Sequence, residues 1–183
     1  MAAGYRQTDE SEFVKIYSLE HPPVIRSLEI LADTGDSDGL IPAGTVVGKT
    51  TATGVFRPVP YTTVSEEVSP ASNTIPVASA DPFVIGDSVK INSGSALTVT
   101  AVNMTLNTLT VTPASTASED DDVEGQDGSA TGYAITVQQV DVEDEADAVP
   151  CLMHGIAYRD YIDNITDDLE ADLIGRIWFN NAI

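Results

Sequence analysis

The 183-residue chain is predicted to be mainly β, and two features of its sequence support this prediction. Val, Ile, Leu and Thr alternate with polar residues at period two in several short segments, a pattern typical of half-buried strands. Dense groups of Gly, Pro, Asn and Asp separate these segments and predict turns. The best helix candidate is 166–174, where Leu169 and Leu173 share a face, acids occupy the first turn and Gly175 follows.

Residues 1–23 are predicted to form an extended arm rather than a packed element. The segment is mixed and polar, and it ends in two prolines, which favour an extended backbone. Its scattered apolar residues could anchor it to a partner. These candidate anchors are Tyr5, Phe13, Val14, Ile16 and Tyr17.

From residue 24 to 61 the pattern is one of short strands and turns, with a dense turn signal at 33–39 and a hairpin over 40–56. Residues 65–126 differ, because they are rich in Ser, Thr, Val and Ala, with Lys90 as the one basic residue. Their period-two segments predict a small antiparallel β-barrel or sandwich that ends in the acidic loop 119–125.

The pattern of short strands and turns seen over 24–61 resumes at Asp127. The alternation changes register at Gln138 and Gln139, which predicts a β-bulge. A buried strand is predicted over 149–158, followed by the helix and a last strand at 177–179. Trp178 and Phe179 fit a core or an interface equally well.

The charge excludes several classes of partner. Eight Lys and Arg against 29 Asp and Glu give a net charge of −21, which disfavours nucleic acids and anionic membranes and favours a basic partner for any charge-led contact. We expect no transmembrane helix and no signal peptide, and therefore synthesis in the cytoplasm. The single cysteine excludes an internal disulfide and a Cys-based zinc site.

No motif predicts catalysis or a cofactor. The acidic loops 33–38 and 119–124 lack the spacing of an EF-hand, and we interpret them as solvated turns, with Ca²⁺ binding left open. Cys151 and His154 lie three residues apart in a predicted strand, so their side chains would point to opposite faces. The glycines at 44, 48 and 54 do not have phosphate-loop spacing. We therefore expect no catalytic, cofactor or metal residues.

Two parts of the chain resemble lambda-type bacteriophage head decoration proteins. The hairpin LIPAGTVVGK at 40–49 with TGVF at 53–56 resembles one motif of that family. The segment DGSA at 127–130 and the Gly-Ile pair at 155–156 resemble two others. The turn residues that carry the resemblance are Gly44, Gly48, Gly54, Asp127, Gly128 and Gly155. It covers roughly residues 24–62 and 127–183, and the family lacks the intervening segment.

The resemblance implies a head-decoration β fold with one short C-terminal helix, formed by 24–64 and 127–183, with 65–126 as an inserted β-module. It also implies a function: a homotrimer that binds the major capsid protein on the outside of the phage head and cements the shell against internal DNA pressure. Family members have an arm that orders on the capsid, which matches residues 1–23.

Two alternatives remain. The Thr-rich module 65–126 could make the protein a virion-surface adhesion module that binds host envelope or glycans. A virion-associated hydrolase is the other alternative, although the sequence contains no recognisable nucleophile and base.

Overall fold

The computed structural model describes residues 22–31, 34, 39–142, 147–162 and 165–181. Strands dominate this part of the chain, as predicted, and one short α-helix accompanies them. The strands are β1 Val24–Ile30, β2 Leu40–Ile41, β3 Val46–Lys49, β4 Phe56–Pro58, β5 Tyr61–Thr63, β6 Val68–Pro76, β7 Ser88–Ile91, β8 Leu97–Asn103, β9 Thr108–Ala117, β10 Asp122–Gly125, β11 Gly132–Thr136, β12 Val140–Asp141, β13 Asp147–Tyr158 and β14 Ile177–Asn180. The helix α1 is Asp167–Leu173, and a 3-10 turn covers Arg159–Tyr161.

The first sheet closes on itself to form a barrel. Its strand order is β1-β4-β3-β11-β13, and a long antiparallel pairing between β13 and β1 completes the ring. β14 lies parallel to the end of β13 and has no other neighbour in the sheet order. Apolar residues from alternating strand positions pack into two clusters, one on the side of α1 and one under the β2–β12 ribbon.

Helix α1 forms where it was predicted, because its N-terminal cap and the spacing of its apolar residues favour a helix over the same segment. The hydroxyl of Thr166 accepts a hydrogen bond from the backbone N–H of Leu169 at 3.2 Å, which satisfies one free donor of the first turn. Leu169 and Leu173 are buried against the barrel. Full burial of each leucine side chain contributes about 1.5–3 kcal/mol. The strand predicted at 177–179 is β14.

The second sheet has the order β5-β10-β7-β8-β9-β6 and a core of its own, with Phe83, Ile75, Val89 and Leu109 at its centre. A bridge between Val64 and Val77 joins the two ends of this sheet. The second barrel therefore contains its own apolar cluster of buried residues, separate from the clusters of the first.

The chain enters and leaves the second barrel at neighbouring points. The backbone N–H of Gly125 donates to the carbonyl of Pro60 at 2.8 Å. β5 pairs with β10, so the second sheet spans 61–125 and begins four residues before the predicted boundary at 65. Adjacent entry and exit points are the geometry of a module grafted into a loop.

The β-bulge predicted at Gln138 and Gln139 is wrong. β11 ends at Thr136, and after a bend the chain starts β12, which pairs with β2 outside the barrel. Val137 packs on the helix side of the core, whereas Val140 packs in the other cluster. The change of register in the sequence thus reflects a move of the chain between two packing layers.

Candidate interaction surface

The two family-like segments pack directly against each other, although the second barrel separates them in sequence. A Cβ added to Gly48 would lie 1.8 Å from the carbonyl oxygen of Ser129, so only glycine allows this approach of two backbones. A Cβ on Gly128 would lie 2.1 Å from Oγ1 of Thr51, and the N–H of Thr51 donates to the carbonyl of Asp127 at 2.8 Å. The two segments are parts of one folded unit.

The other predicted turn glycines serve the same barrel. Gly44 has a φ of +95° and lies against the backbone of Tyr161, where a Cβ would clash. Gly54 has a φ of +74° in the turn between β3 and β4. Gly155 lies in β13, with Pro23 passing over it.

Asp127 fixes the turn at the start of the second family-like segment. Its Oδ1 accepts hydrogen bonds from the backbone N–H and from the hydroxyl of Ser129. Partial burial acts to raise the pKa of this carboxyl, but the two Ser129 hydrogen bonds and the charge of Arg57 outweigh burial and leave the pKa below its usual value.

Arg57 joins the two barrels through a buried ion pair. Its Nη1 and Nη2 bind the two carboxylate oxygens of Asp87 at 2.7 and 2.8 Å, and Nη2 also donates to the carbonyl of Pro82 at 2.6 Å. Arg57 lies in β4 of the first barrel, whereas Pro82 and Asp87 precede β7 in the second. Nη1 reaches Asp127 at 3.4 Å, so the contact also includes the junction between the barrels.

Sequence reasoning missed this ion pair. One signal was present, because Arg57 is one of only eight basic residues and stands between Phe56 and Pro58 in an apolar strand. An arginine is seldom buried unless it is paired. The identity of the partner, 30 residues away, was not readable from the sequence.

A second feature is a group of apolar and aromatic residues around β13 and β14, which we call the aromatic face. Its members are joined by strand register and by ring contacts. They are Val24, His154, Ile156, Tyr158, Tyr161 and Trp178. The rings of His154 and Trp178 meet edge-to-face with centroids 5.1 Å apart, and those of Tyr158 and Tyr161 meet edge-to-face at 6.4 Å.

A bulge in β13 accounts for the position of this face. Ile25 pairs with Leu152 and Val24 pairs with His154, so the register skips Met153. An extra residue of this kind re-aims the side chains that follow it. Leu152 is fully buried in the core, whereas His154 is only half-buried and contacts Trp178.

Trp178, Val24 and Tyr161 are 46%, 44% and 44% exposed. The sequence allowed Trp178 and Phe179 to lie either in the core or at an interface, and the two residues differ in this respect. Phe179 packs against the core cluster on the helix side, and Trp178 lies on the surface.

The second barrel carries an open groove of about 390 Å³. The apolar residues Ile91 and Leu97 line it, together with the polar residues Ser95, Ser115 and Asp121. Asp121 also has a structural role, because its carboxylate accepts hydrogen bonds from the side chain of Asn92 and from the backbone N–H of Ser118. The groove offers hydroxyl and carboxylate groups to a ligand.

The structure bears on only some of the remaining sequence predictions, which concern the arm, the acidic loops, metal binding and membrane spans. The arm anchors Tyr5, Phe13, Val14, Ile16 and Tyr17 lie outside the described residues, as does most of the acidic loop at 33–38. Within the described ranges, no group of three or more His, Cys, Asp or Glu side chains is arranged to hold a metal ion. No helix in the same ranges is long and apolar enough to cross a membrane.

Cys151 has the environment of a structural cysteine. It is fully buried in the cluster under the β2–β12 ribbon, and burial raises the pKa of its thiol to about 12. The thiolate is the nucleophilic form of cysteine, so a thiol with this pKa is unreactive near neutral pH. His154 does not activate it, since its ring contacts Trp178 on the surface.

The comparisons with known proteins give no relative. No protein-family model, curated protein or solved structure matches the chain.

Proposed function

We propose that this protein is a capsid decoration protein with a lambda-type head decoration fold. It binds the major capsid protein on the outer surface of a phage head as a homotrimer, and it cements the shell against internal DNA pressure. Residues 1–23 order on the capsid. The protein is made in the host cytoplasm, is carried on the virion, and has no catalytic activity.

The observation that carries this proposal is the packing of the two family-like segments. Gly48 against Ser129 and Gly128 against Thr51 bring together motifs that lie close in sequence in the family but on either side of the second barrel here. A chance resemblance of short glycine motifs gives no reason for such contact. The barrel that they build also ends in the short helix and final strand that the resemblance implies.

The distribution of charge suits a contact with a protein shell. Residues 1–22 carry two basic and four acidic residues, a net charge of −2 out of −21 for the chain. This nearly balanced segment leads into β1 beside the aromatic face. A segment with scattered apolar anchors can fold on its partner and add a strand to the edge of a sheet.

Deletion of residues 1–20 tests the proposal. Co-sedimentation with expanded empty heads of the encoding phage should show full binding by the intact chain and loss of binding by the deletion variant. Both proteins should have the same thermal unfolding midpoint, because every described strand of the two barrels begins after residue 23. Decoration at full occupancy by the shortened chain would contradict the arm mechanism.

The groove of the second barrel favours one alternative, a virion-surface adhesion module. Its apolar residues Ile91 and Leu97 and its polar residues Ser95, Ser115 and Asp121 could contact a sugar of the host envelope. Excision of 61–125, with a short turn joining Pro60 to Gln126, separates the two functions. Arg57→Met should accompany the excision, because Asp87 is removed with the module.

Adhesion predicts that the excised protein still binds heads but that phage carrying it no longer attach to cells. Loss of head binding, with the first barrel still folded, would place the second barrel in the cementing contact instead.

A further inference from the structure

We propose that the groove of the second barrel binds an uncharged glycan. The inference deepens the adhesion alternative, on which it rests for a sugar as the ligand, by naming the class of sugar and the residues that hold it. The groove has a volume of about 390 Å³, which is within the usual range of small-molecule sites. Because it is open to solvent, one section of a longer polysaccharide can enter it.

Asp121 provides a hydrogen-bond acceptor in a fixed position on the groove. One of its carboxylate oxygens accepts from Nδ2 of Asn92 at 2.6 Å, and the other accepts from the backbone N–H of Ser118 at 2.7 Å. Among the residues that the structure describes, no Lys or Arg forms an ion pair with this carboxylate. A carboxylate has about four acceptor positions, so both oxygens can still accept from the hydroxyls of a ligand.

The other lining residues place free hydroxyls beside a small apolar surface. Ser95 and Thr116 are exposed, and their hydroxyls make no hydrogen bond within the described ranges. A hydroxyl both donates and accepts, as the hydroxyls of a sugar do. Ile91 and Leu97 supply apolar side chains on which the C–H groups of a sugar ring can pack.

Charge decides which class of glycan the groove fits. Residues 68–80 and 92–118 contain no charged side chain, and they include the adjacent strands β8, β9 and β6. No Lys or Arg lines the groove, and Asp121 belongs to the acidic loop 119–124. The carboxylates or phosphates of an anionic glycan would be repelled by this loop and would find no cation to pair with. A glycan without charge avoids this repulsion.

The test begins with an array of immobilised bacterial polysaccharides, some uncharged and some bearing carboxylate or phosphate groups. We expect the full chain to be retained by at least one uncharged polysaccharide. Isothermal titration with that polysaccharide then compares Thr116→Glu with Thr105→Glu. Thr116 lines the groove, whereas Thr105 is exposed in the turn at the far end of β8 and β9, so both variants add the same charge to the same type of residue.

Thr116→Glu should weaken binding by about tenfold or more, because the ligand would cover a charge that has no partner. Thr105→Glu should bind as the parent does. Added salt should leave the affinity unchanged, since the ligand has no charge to screen. Thermal unfolding establishes that the variants are folded, and if Thr116→Glu is not, Ser95→Glu in the turn before β8 provides the same measurement.

The inference is overturned if no polysaccharide retains the chain, or if only charged polysaccharides retain it. It is also overturned if a folded groove variant binds the uncharged polysaccharide as tightly as the parent, because the ligand would then lie elsewhere.

The two functions proposed above fail separately from this inference. A chain that binds heads but no glycan would support decoration and contradict the inference, and a chain that binds the glycan but no heads would do the reverse. If phage carrying Thr116→Glu attach to cells as the parent phage do, although the variant no longer binds the glycan, the glycan site stands and adhesion is contradicted.

Discussion

Arg57 in the first barrel binds both carboxylate oxygens of Asp87 in the second, at 2.7 and 2.8 Å. The Arg57 side chain is 2% exposed and that of Asp87 is 10% exposed, so water is largely excluded from the pair. A planar guanidinium fork fits a carboxylate with a defined orientation, which a single point charge would not impose. The second barrel is thus held to the first by a directional contact at the junction.

Arg57→Met should destabilise the protein by about 3–5 kcal/mol, because it leaves the charge of Asp87 without its partner in a buried site. Denaturant unfolding of variant and parent measures the difference. Arg159→Met is the control at a more exposed site: Arg159 pairs with Asp167 at 3.0 Å and with Glu170 at 2.8 Å, but its side chain is 41% exposed, so the loss should be only about 1 kcal/mol per pair. Equal losses in the two variants would contradict a structural role for the buried pair.

Gly48→Ala should cost about 3 kcal/mol of unfolding free energy, since a Cβ would lie 1.8 Å from the carbonyl oxygen of Ser129 and one backbone would have to move. Gly175→Ala serves as the comparison. Gly175 has a φ of +90° with no atom within 4 Å of an added Cβ. That variant should therefore lose only about 1–2 kcal/mol of unfolding free energy, from backbone strain. Chemical denaturation of both variants ranks them. A Gly48→Ala protein as stable as the parent would show that the two family-like segments are not in this contact.

Asp127 should contribute to the acid sensitivity of the fold. Its pKa is lower in the folded protein than the ordinary value of 3.8, so the unfolded chain binds its proton first as the pH falls. Its stabilisation is therefore complete above the ordinary pKa and is lost as the pH falls from about 4 through the folded pKa.

Asp127→Asn keeps an oxygen that can accept from the N–H of Ser129 but cannot titrate. Unfolding free energies measured from pH 6 down to pH 2 should fall less steeply for this variant than for the parent below pH 4 or so. Identical slopes would contradict the lowered pKa.

Cys151 should resist thiol reagents in the native protein. It is fully buried, so reagents cannot reach it. The pKa of its thiol is raised to about 12, so almost none of it is in the reactive thiolate form at pH 8. Labelling by a maleimide or by Ellman's reagent should be slow without denaturant and fast in guanidinium chloride. Rapid stoichiometric labelling of the folded chain would place the thiol at the surface.

The sequence predicted those parts of the fold that depend on local signals. The helix at 167–173 follows from acids in its first turn and from two leucines one turn apart, and both leucines are buried as expected. The strand predicted at 149–158 lies within β13, but only part of it is buried. The extra residue at Met153 turns His154, and with it Ile156 and Tyr158, away from the core, while Ala157 points into it. A one-residue register shift leaves no mark on a short apolar segment.

The candidate site was less predictable, because it depends on contacts between distant residues. Gly48 and Gly128 were singled out as turn residues, but their neighbours Ser129 and Thr51 become apparent only when the two segments meet. The pairing of Arg57 with Asp87 requires the second barrel to be folded and docked. The prediction of a bulge at Gln138 was wrong because a bulge within one strand and a move of the chain between two packing layers produce the same change of alternation in the sequence.

Electron cryomicroscopy of expanded heads of the encoding phage, with and without this protein, tests the central proposal most directly. We predict added density for three copies at each local threefold position on the outer surface, with the two barrels resolved in every copy. Heads that show no ordered density after incubation with an excess of folded protein would contradict capsid decoration.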